Sequence, residues 1–295
     1  MAFEQTQGLV AKKTLTETEL TGIKQLTDTC NTYEGLHTRL HFDMLRQRPG
    51  NTINDFLYYE QSLLIGYLGL DSHGTKEKEV VGMVSPDHRR KGIFSRLLHA
   101  AKEESKRRDI EKLVLICERS SASGQAFIKA RNAHLNHSEH EMVLGTFRQR
   151  AIFDDHLIFR QANRTDAEMI AFIMATDMDD DIENARRYTA RVFERPEERF
   201  FVATLGEESV GCQEPIGSLR LIDMKQQVGI YGFVVRPEYR GRGYGRQMLQ
   251  ETIQLIQAES SQEIMLDVDV DNTNALGLYL SCGFEIKTTY DYYDV

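Results

Sequence analysis

The stretch "RPEYRGRGYGRQML", Arg236 to Leu249, places four arginines and three glycines within fourteen residues of a chain whose formal net charge is −9. Glycine lets a backbone curl and approach a ligand closely. A helix that follows offers unpaired N–H groups and about half a positive charge at its start. Gly241, Gly243 and Gly245 provide the freedom, and Arg240, Arg242 and Arg246 the charge. Together they suit the oxygens of a diphosphate. The same composition taken alone also suits a solvated turn with surface arginines. Two familiar phosphate motifs do not fit. A Walker loop ends in GK[ST], which is absent here, and a dinucleotide turn runs GxGxxG, whereas these glycines alternate as GxGxG.

Other chemistry-bearing residues carry less. "HLNHSEHEM" spaces His134, His137 and His140 three apart, and in an extended strand that spacing sends His137 to the opposite face. No carboxylate or cysteine set completes a metal site around them. "TDMDDDIE", Thr176 to Glu183, holds five carboxylates, Asp177, Asp179, Asp180, Asp181 and Glu183. Such a run attracts cations through its local potential, or simply solvates a helix boundary.

The elements that must position the glycine turn occur twice. "SPDHRRKGIFSRLL", Ser85 to Leu98, is a fainter copy displaced by 151 residues, which superimposes Pro86 on Pro237, Arg89 on Arg240, Gly92 on Gly243 and Leu98 on Leu249. Before each copy lies a run suited to a strand, "EVVGMV" and "VGIYGFVV". After each, apolar residues recur at helical spacing: Phe94, Leu97, Leu98 and Ala101, then Met248, Leu249, Thr252, Ile253 and Ile256. A further strand follows, "KLVLIC" or "EIMLDVDV", and the order strand–helix–strand predicts a parallel pair in each half. One duplication explains 295 residues. The boundary is expected between Phe147 and His156, which gives domains 1–150 and 151–295.

Composition narrows the classes. A pI near 5.6 leaves no broad basic face for nucleic acid, and no apolar run reaches the length of a membrane span. Cys30, Cys117, Cys212 and Cys282 are scattered without CxxC pairing, and "MAFEQTQGLV" has no secretory character. They read as reduced thiols of a cytoplasmic protein.

The spacing R-x-x-G-x-G, Arg240 to Gly245, resembles the coenzyme A signature of the GNAT superfamily of acyltransferases. "GFVVRPEYRGRGYGRQML" looks like that family's fourth strand, pyrophosphate turn and third helix. "DVDNTNALGLYLSCGF", Asp269 to Phe284, looks like its second signature, N-x-x-A-x-x-L-Y-x-x-x-G-F. The resemblance covers residues 157–295 closely and 15–145 more weakly. It implies an α/β fold of two tandem GNAT-like domains, each a mixed, largely antiparallel twisted sheet flanked by helices. It further implies direct acetyl transfer from acetyl-CoA, the cosubstrate, to a primary amine, without metal. In that case the backbone of Phe233, Val234 and Val235 would pair with the pantetheine arm. Arg240, Gly241, Arg242, Gly243, Tyr244 and Gly245 would cradle the pyrophosphate, Asn272 would contact the cofactor, and Tyr279 would protonate the leaving thiolate. The base stays open: a water, or one of Asp223, Glu214, Asp267 and Asp269.

The first copy departs from the pattern. It has Phe94 where the second has Gly245, and the 151 displacement sets Ile128, or Phe127 after a one-residue slip, opposite Tyr279. Neither side chain can donate a proton. The expectation is a degenerate first domain and a catalytic second one. A non-catalytic acyl-CoA-binding module that recruits a partner is the alternative, and the oligomeric state, monomer or homodimer, stays open.

Overall fold

A computed structural model describes residues 6–38, 40–71, 76–149, 156–177, 181–206 and 214–295. Cys212, Asp179, Asp180 and residues 150–155 of the expected boundary lie outside the described residues. The chain packs as two compact units, one of Met1–Ser138 with Thr288–Val295 and the other of Glu139–Lys287. A single cut after residue 150 therefore differs from the packing, because two segments cross over.

The first unit runs β1 (Gly8–Lys12), α1 (Glu17–Glu34), α2 (Phe42–Arg46), β2 (Asp55–Glu60), β3 (Leu63–Asp71), β4 (Glu77–Val84), α3 (Ile93–Arg107), β5 (Lys112–Glu118) and α4 (Ala122–Arg131). It also holds the first residues of β6 (His134–Leu144) and the last of β12 (Phe284–Asp294). β1 to β4 pair antiparallel in sequence, β4 pairs parallel with β5, and Tyr290–Asp294 of β12 lie antiparallel to β5. The second unit runs β7 (Leu157–Gln161), α5 (Ala167–Asp177), α6 (Ile182–Val192), β8 (Glu198–Leu205), β9 (Glu214–Asp223), β10 (Gln227–Val235), α7 (Tyr244–Glu259), β11 (Glu263–Asp269) and α8 (Thr273–Cys282). Here β7 to β10 are antiparallel neighbours, β10 pairs parallel with β11, and residues 139–143 of β6 lie antiparallel to β11.

Each unit is thus a mixed, largely antiparallel sheet with one parallel pair. The helix between the paired strands, α3 or α7, forces that pair, because only a long crossover returns a chain parallel to itself. The duplication extends to the ends of elements. α3 and α7 start at residues 93 and 244, β5 and β11 span 112–118 and 263–269, and α4 and α8 span 122–131 and 273–282. All are 151 residues apart. The apolar spacing along α7 buries Leu249, Ile253 and Ile256 against Ile230, Leu266 and Phe284, and Met248 against Ile216 and Ala203. Each such side chain stabilises the unit by roughly 1.5–3 kcal/mol. In the first unit Leu97, Leu98 and Ala101 of α3 pack against Phe56, Leu68 and Val80.

Among the described residues no helix is long and apolar enough to cross a membrane. Cys30, Cys117 and Cys282 are buried thiols outside any disulfide. His137 stacks on Tyr292, ring centroids 4.1 Å apart, and no group of three His, Cys, Asp or Glu among the described residues could hold a metal ion. The described part of the acidic run is a helix boundary, where Asp181 caps α6 by accepting from the Glu183 N–H.

Candidate functional site

In the second unit, the parallel pair comes apart. β10 and β11 are in register only from Gln227↔Glu263 to Ile230↔Leu266, although β10 continues to Val235 and β11 to Asp269. An irregularity between Tyr231 and Val234 in the pairing with β9, with Gly232 at φ +53°, bends β10 at that point. Past the bend, the Arg236 N–H donates to the Ile216 carbonyl of β9 at 2.8 Å. Peptide groups alternate along a strand. Those of Phe233 and Val235 therefore face the gap, while Val234, in register with Ser218, faces β9. Of the three residues expected to offer main chain to a pantetheine arm, two face the gap and Val234 does not.

The glycine turn closes one end of this gap. After a short 3₁₀ turn, Pro237–Tyr239, the Arg240 Nε donates to the Val235 carbonyl at 2.7 Å and ties the turn to the strand. Gly241 at φ +74° and Gly243 at φ +95° adopt the left-handed backbone that their lack of a side chain permits. α7 then begins with no side-chain cap. Gly245 plays a different part from the one expected, since it lies within α7 with no positive φ. A Cβ there would sit 3.5 Å from Val235 and 3.6 Å from Leu278, so its effect is to leave space beside the turn. Tyr244 buries its ring against Ile216 and Met248, which leaves its contribution to the turn to the main chain. The Arg242 guanidinium lies 5.5 Å from the Tyr239 ring centroid, and Arg246 turns inward to the Cys282 sulfur at 3.6 Å.

α8 forms the other wall. Asn272 caps it, its Oδ1 accepting from the Ala275 N–H at 3.1 Å. Tyr279 is 7% exposed, its ring centroid 6.3 Å from Phe233 and 6.0 Å from Phe284. Burial alone pushes its phenol well above its ordinary pKa. Gly283 ends the helix at φ +104°, where a Cβ would come within 2.0 Å of the Thr146 carbonyl. Only glycine fits there, and this is the physical content of the G-F that closes the second motif.

The candidate bases fall apart by position. Asp223 is in register with Val228, seven residues before Val235, and so about 23 Å away along β10. Its carboxylate pairs with Arg199 at 3.1 Å. Glu214 pairs with Arg236 at 2.6 Å, and Asp269 Oδ1 accepts from the Asp271 N–H at 2.7 Å. Asp267 is the first β11 residue past the last pair with β10, and it sits opposite Glu141 of β6.

Two features escaped the sequence reading. Glu141 is buried, 3% exposed, with Lys287 Nζ at 3.4 Å. Arg220, the cross-strand partner of Tyr231 at the bend, has its guanidinium 5.3 Å from the Tyr188 ring and 5.6 Å from the Tyr231 ring, and it pairs with the enclosed Glu198 at 2.5 Å. The available signal was one arginine inside the otherwise apolar run "PIGSLRLI" of β9.

Comparison with known proteins agrees with this geometry. The sequence pattern of the Acetyltransferase (GNAT) family matches residues 21–132 and again 165–284. N-alpha-acetyltransferase 30 of Saccharomyces cerevisiae is 34% identical over 85 residues, 27% of this chain and 48% of that protein. A mycothiol acetyltransferase of Kocuria rhizophila is 43% identical over 56 residues, 19% and 18% of the two chains. The chain spans half or less of the length of these curated relatives. In fold, it is similar over 99% of its length to a GCN5-related N-acetyltransferase of Sphaerobacter thermophilus, with a TM-score of 0.81, 17% identity and 96% of that chain covered. It is also similar to a tandem GNAT protein from the clavulanic acid biosynthesis pathway, with a TM-score of 0.74, 16% identity and 97% of each chain covered. With two matches that together span most of its length, the chain belongs to the GNAT family of acetyltransferases, in tandem form.

Proposed function

We propose that the second unit transfers an acetyl group from acetyl-CoA directly to a primary amine, and that the gap between β10 and β11 receives the thioester arm. The observation that carries this reading is the run of groups along one gap. The uncapped start of α7, the inward peptide groups of Val235 and Phe233 and the Tyr279 phenol occur in the order that a diphosphate, its pantetheine arm and the thioester would require.

The Phe233 or Val235 N–H polarises the thioester carbonyl and holds the oxyanion of the tetrahedral intermediate. The main chain of Arg240 to Tyr244 and the first N–H groups of α7 hold the diphosphate, assisted by the charge of Arg240 and Arg242, while the absent side chain of Gly245 leaves room for it. Asn272 stands at the entrance to α8, within reach of the arm. The acceptor, with a lysine-like pKa near 10.4 in water, arrives protonated. Asp267, where the two strands part and opposite Glu141, takes that proton directly or through water.

Tyr279 serves the departing sulfur. With its pKa raised by burial, it is a weaker acid than a free phenol, and a thiol's ordinary value is near 8.5. Complete proton transfer at the outset is therefore uphill. The phenol acts first as a hydrogen-bond donor that lowers the charge on sulfur; as the intermediate collapses it passes its proton to the departing sulfur and regains one from the acceptor nitrogen, which sheds its second proton as the amide forms. The test is acetyl-CoA turnover with a panel of amines, comparing the chain with Asp267→Asn and Tyr279→Phe. Free CoA released with any primary amine supports the reading. Tight acetyl-CoA binding with no release across the panel would instead favour a non-catalytic binding module.

A further inference from the structure

The first unit repeats the backbone of the site almost point for point. Arg89 has φ −68° and ψ 163°, against −68° and 159° for Arg240, and its Nε donates to the Val84 carbonyl as that of Arg240 does to Val235. Arg90 adopts φ +65°, although it is not glycine, and Gly92 follows at φ +75°. A non-glycine residue in this conformation is strained by roughly 1–2 kcal/mol. β4 and β5 also come apart, their register ending at Val80↔Leu115. By backbone alone, this would be a second cosubstrate cleft.

Its side chains are arranged differently. Glu34, the last residue of α1, reaches both sides of the gap. Its carboxylate accepts from the Arg89 guanidinium in the turn, from the Ser121 hydroxyl at 3.0 Å and from the Ser123 N–H at 3.4 Å at the start of α4. Burial would raise its pKa, but the hydrogen bonds from Ser123 and Ser121 and the Arg89 charge outweigh this and hold it below its ordinary value. A second bridge lies beside the first. Phe94 packs edge-on against Phe127 of α4, centroids 4.8 Å apart, where the second unit has Gly245 and Leu278 at the same displacement of 151. Cys30, also on α1, donates to the Val84 carbonyl at 3.5 Å. The turn's arginine and the start of α4 are thus joined through Glu34, and the space beside the turn is filled by Phe94 against Phe127.

We infer that the first unit carries an anion seat filled by the chain's own Glu34 carboxylate and roofed by Phe94 and Phe127, so that each chain takes one acyl-CoA, in the second unit. The strained Arg90 then has a structural reason, since the turn keeps the shape that presents Arg89 to Glu34. The single-site count rests on the proposed reading of the second unit, whereas closure of the first unit stands apart from it.

The experiment is backbone hydrogen exchange of the full chain with and without saturating free CoA, read separately at the two turns, with native mass spectrometry for the number bound. Protection is expected at Val235–Arg246 and the start of α8, with Val84–Phe94 unchanged and one CoA bound. Protection at Val84–Phe94 in the unaltered chain overturns the inference. Protection at neither turn sinks the reading of the second unit while leaving the first unit closed. The double variant Glu34→Ala with Phe94→Gly should gain protection at Val84–Phe94 and bind two CoA. If it melts within a few degrees of the parent and gains nothing there, these side chains are not what closes the cleft. Should the double variant fail to fold, Glu34→Gln keeps the side-chain volume while removing the charge. It should raise exchange at Ser121–Ser123 by several-fold without CoA, and unchanged exchange there overturns the assignment of the carboxylate.

Discussion

Two gaps in one chain share a main chain and differ in side chains. In each, a parallel strand pair ends early, an arginine Nε ties the following turn to the last strand carbonyl, and two left-handed residues lead into an uncapped helix. In one unit, Gly245 lies beside Val235 and Leu278, and Tyr279 packs against Phe233. In the other, Phe94, Phe127 and Ile128 hold the equivalent positions, and Glu34 reaches in from α1. The comparison teaches that the turn is a stable scaffold in its own right. It keeps its shape with Gly245 beside it as with Phe94 beside it and Glu34 paired to its arginine.

That contrast can be broken by exchanging residues. The largest effect is expected from Gly245→Phe, which puts the ring of the first unit into the second. Acetyl-CoA turnover should fall by about 10²–10³-fold, because displacing a bound cofactor by an ångström or more forfeits its alignment. Activity within threefold of the parent would mean that the open space at Gly245 has no function. Tyr279→Phe should come next, with kcat lower by roughly 10²-fold and KM for acetyl-CoA within twofold, as expected for a proton donor. An equal loss in binding would make the tyrosine a packing residue.

The reciprocal pair at the helix ends sharpens the comparison through stability. Gly283→Asn should destabilise the second unit by about 3 kcal/mol in chemical denaturation, since its Cβ would meet the Thr146 carbonyl. Asn132→Gly, at φ +50° in the first unit, should change stability by less than about 1 kcal/mol. Similar costs at both would show that the two caps are equally crowded. Smaller still, Glu34→Gln should lower Tm by about 2–4 °C at pH 7. Its folded pKa lies below the unfolded value near 4.3, so the contribution is present above that pH and is lost as pH falls through the folded value. The gap in Tm between parent and variant should narrow progressively as pH falls below about 4.3. A gap that does not narrow with falling pH would assign the loss to packing.

Much of this was legible in the sequence. The displacement of 151 matched the two glycine turns and the starts of β5 and β11, because proline and glycine act locally and announce their positions. The two signatures likewise located Tyr279 on one helix wall and the turn at the start of another. What stayed hidden depends on distance along the chain. Glu34 lies 55 residues from Arg89 and 87 from Ser121, and nothing near it in sequence signals either partner. The bend at Gly232 looked like any glycine in a strand run, so Val234 seemed equivalent to its neighbours. Gly245 looked like a third flexible link, although the helix had already begun. The exchange of strand segments was invisible for another reason, since alternating strands such as β6 and β12 carry no mark of which neighbour they will join.

That exchange has a consequence for how the protein is made. The strand that completes the sheet of the first unit beside β5 is Tyr290–Asp294, at the end of the sequence. A ribosome adding about 5–20 residues per second finishes Lys112–Glu118 many seconds before their partner strand exists. The unit translated first is therefore the unit finished last. It must wait with an open edge, while every residue of its neighbour, Glu139–Lys287, is polymerised before it can close.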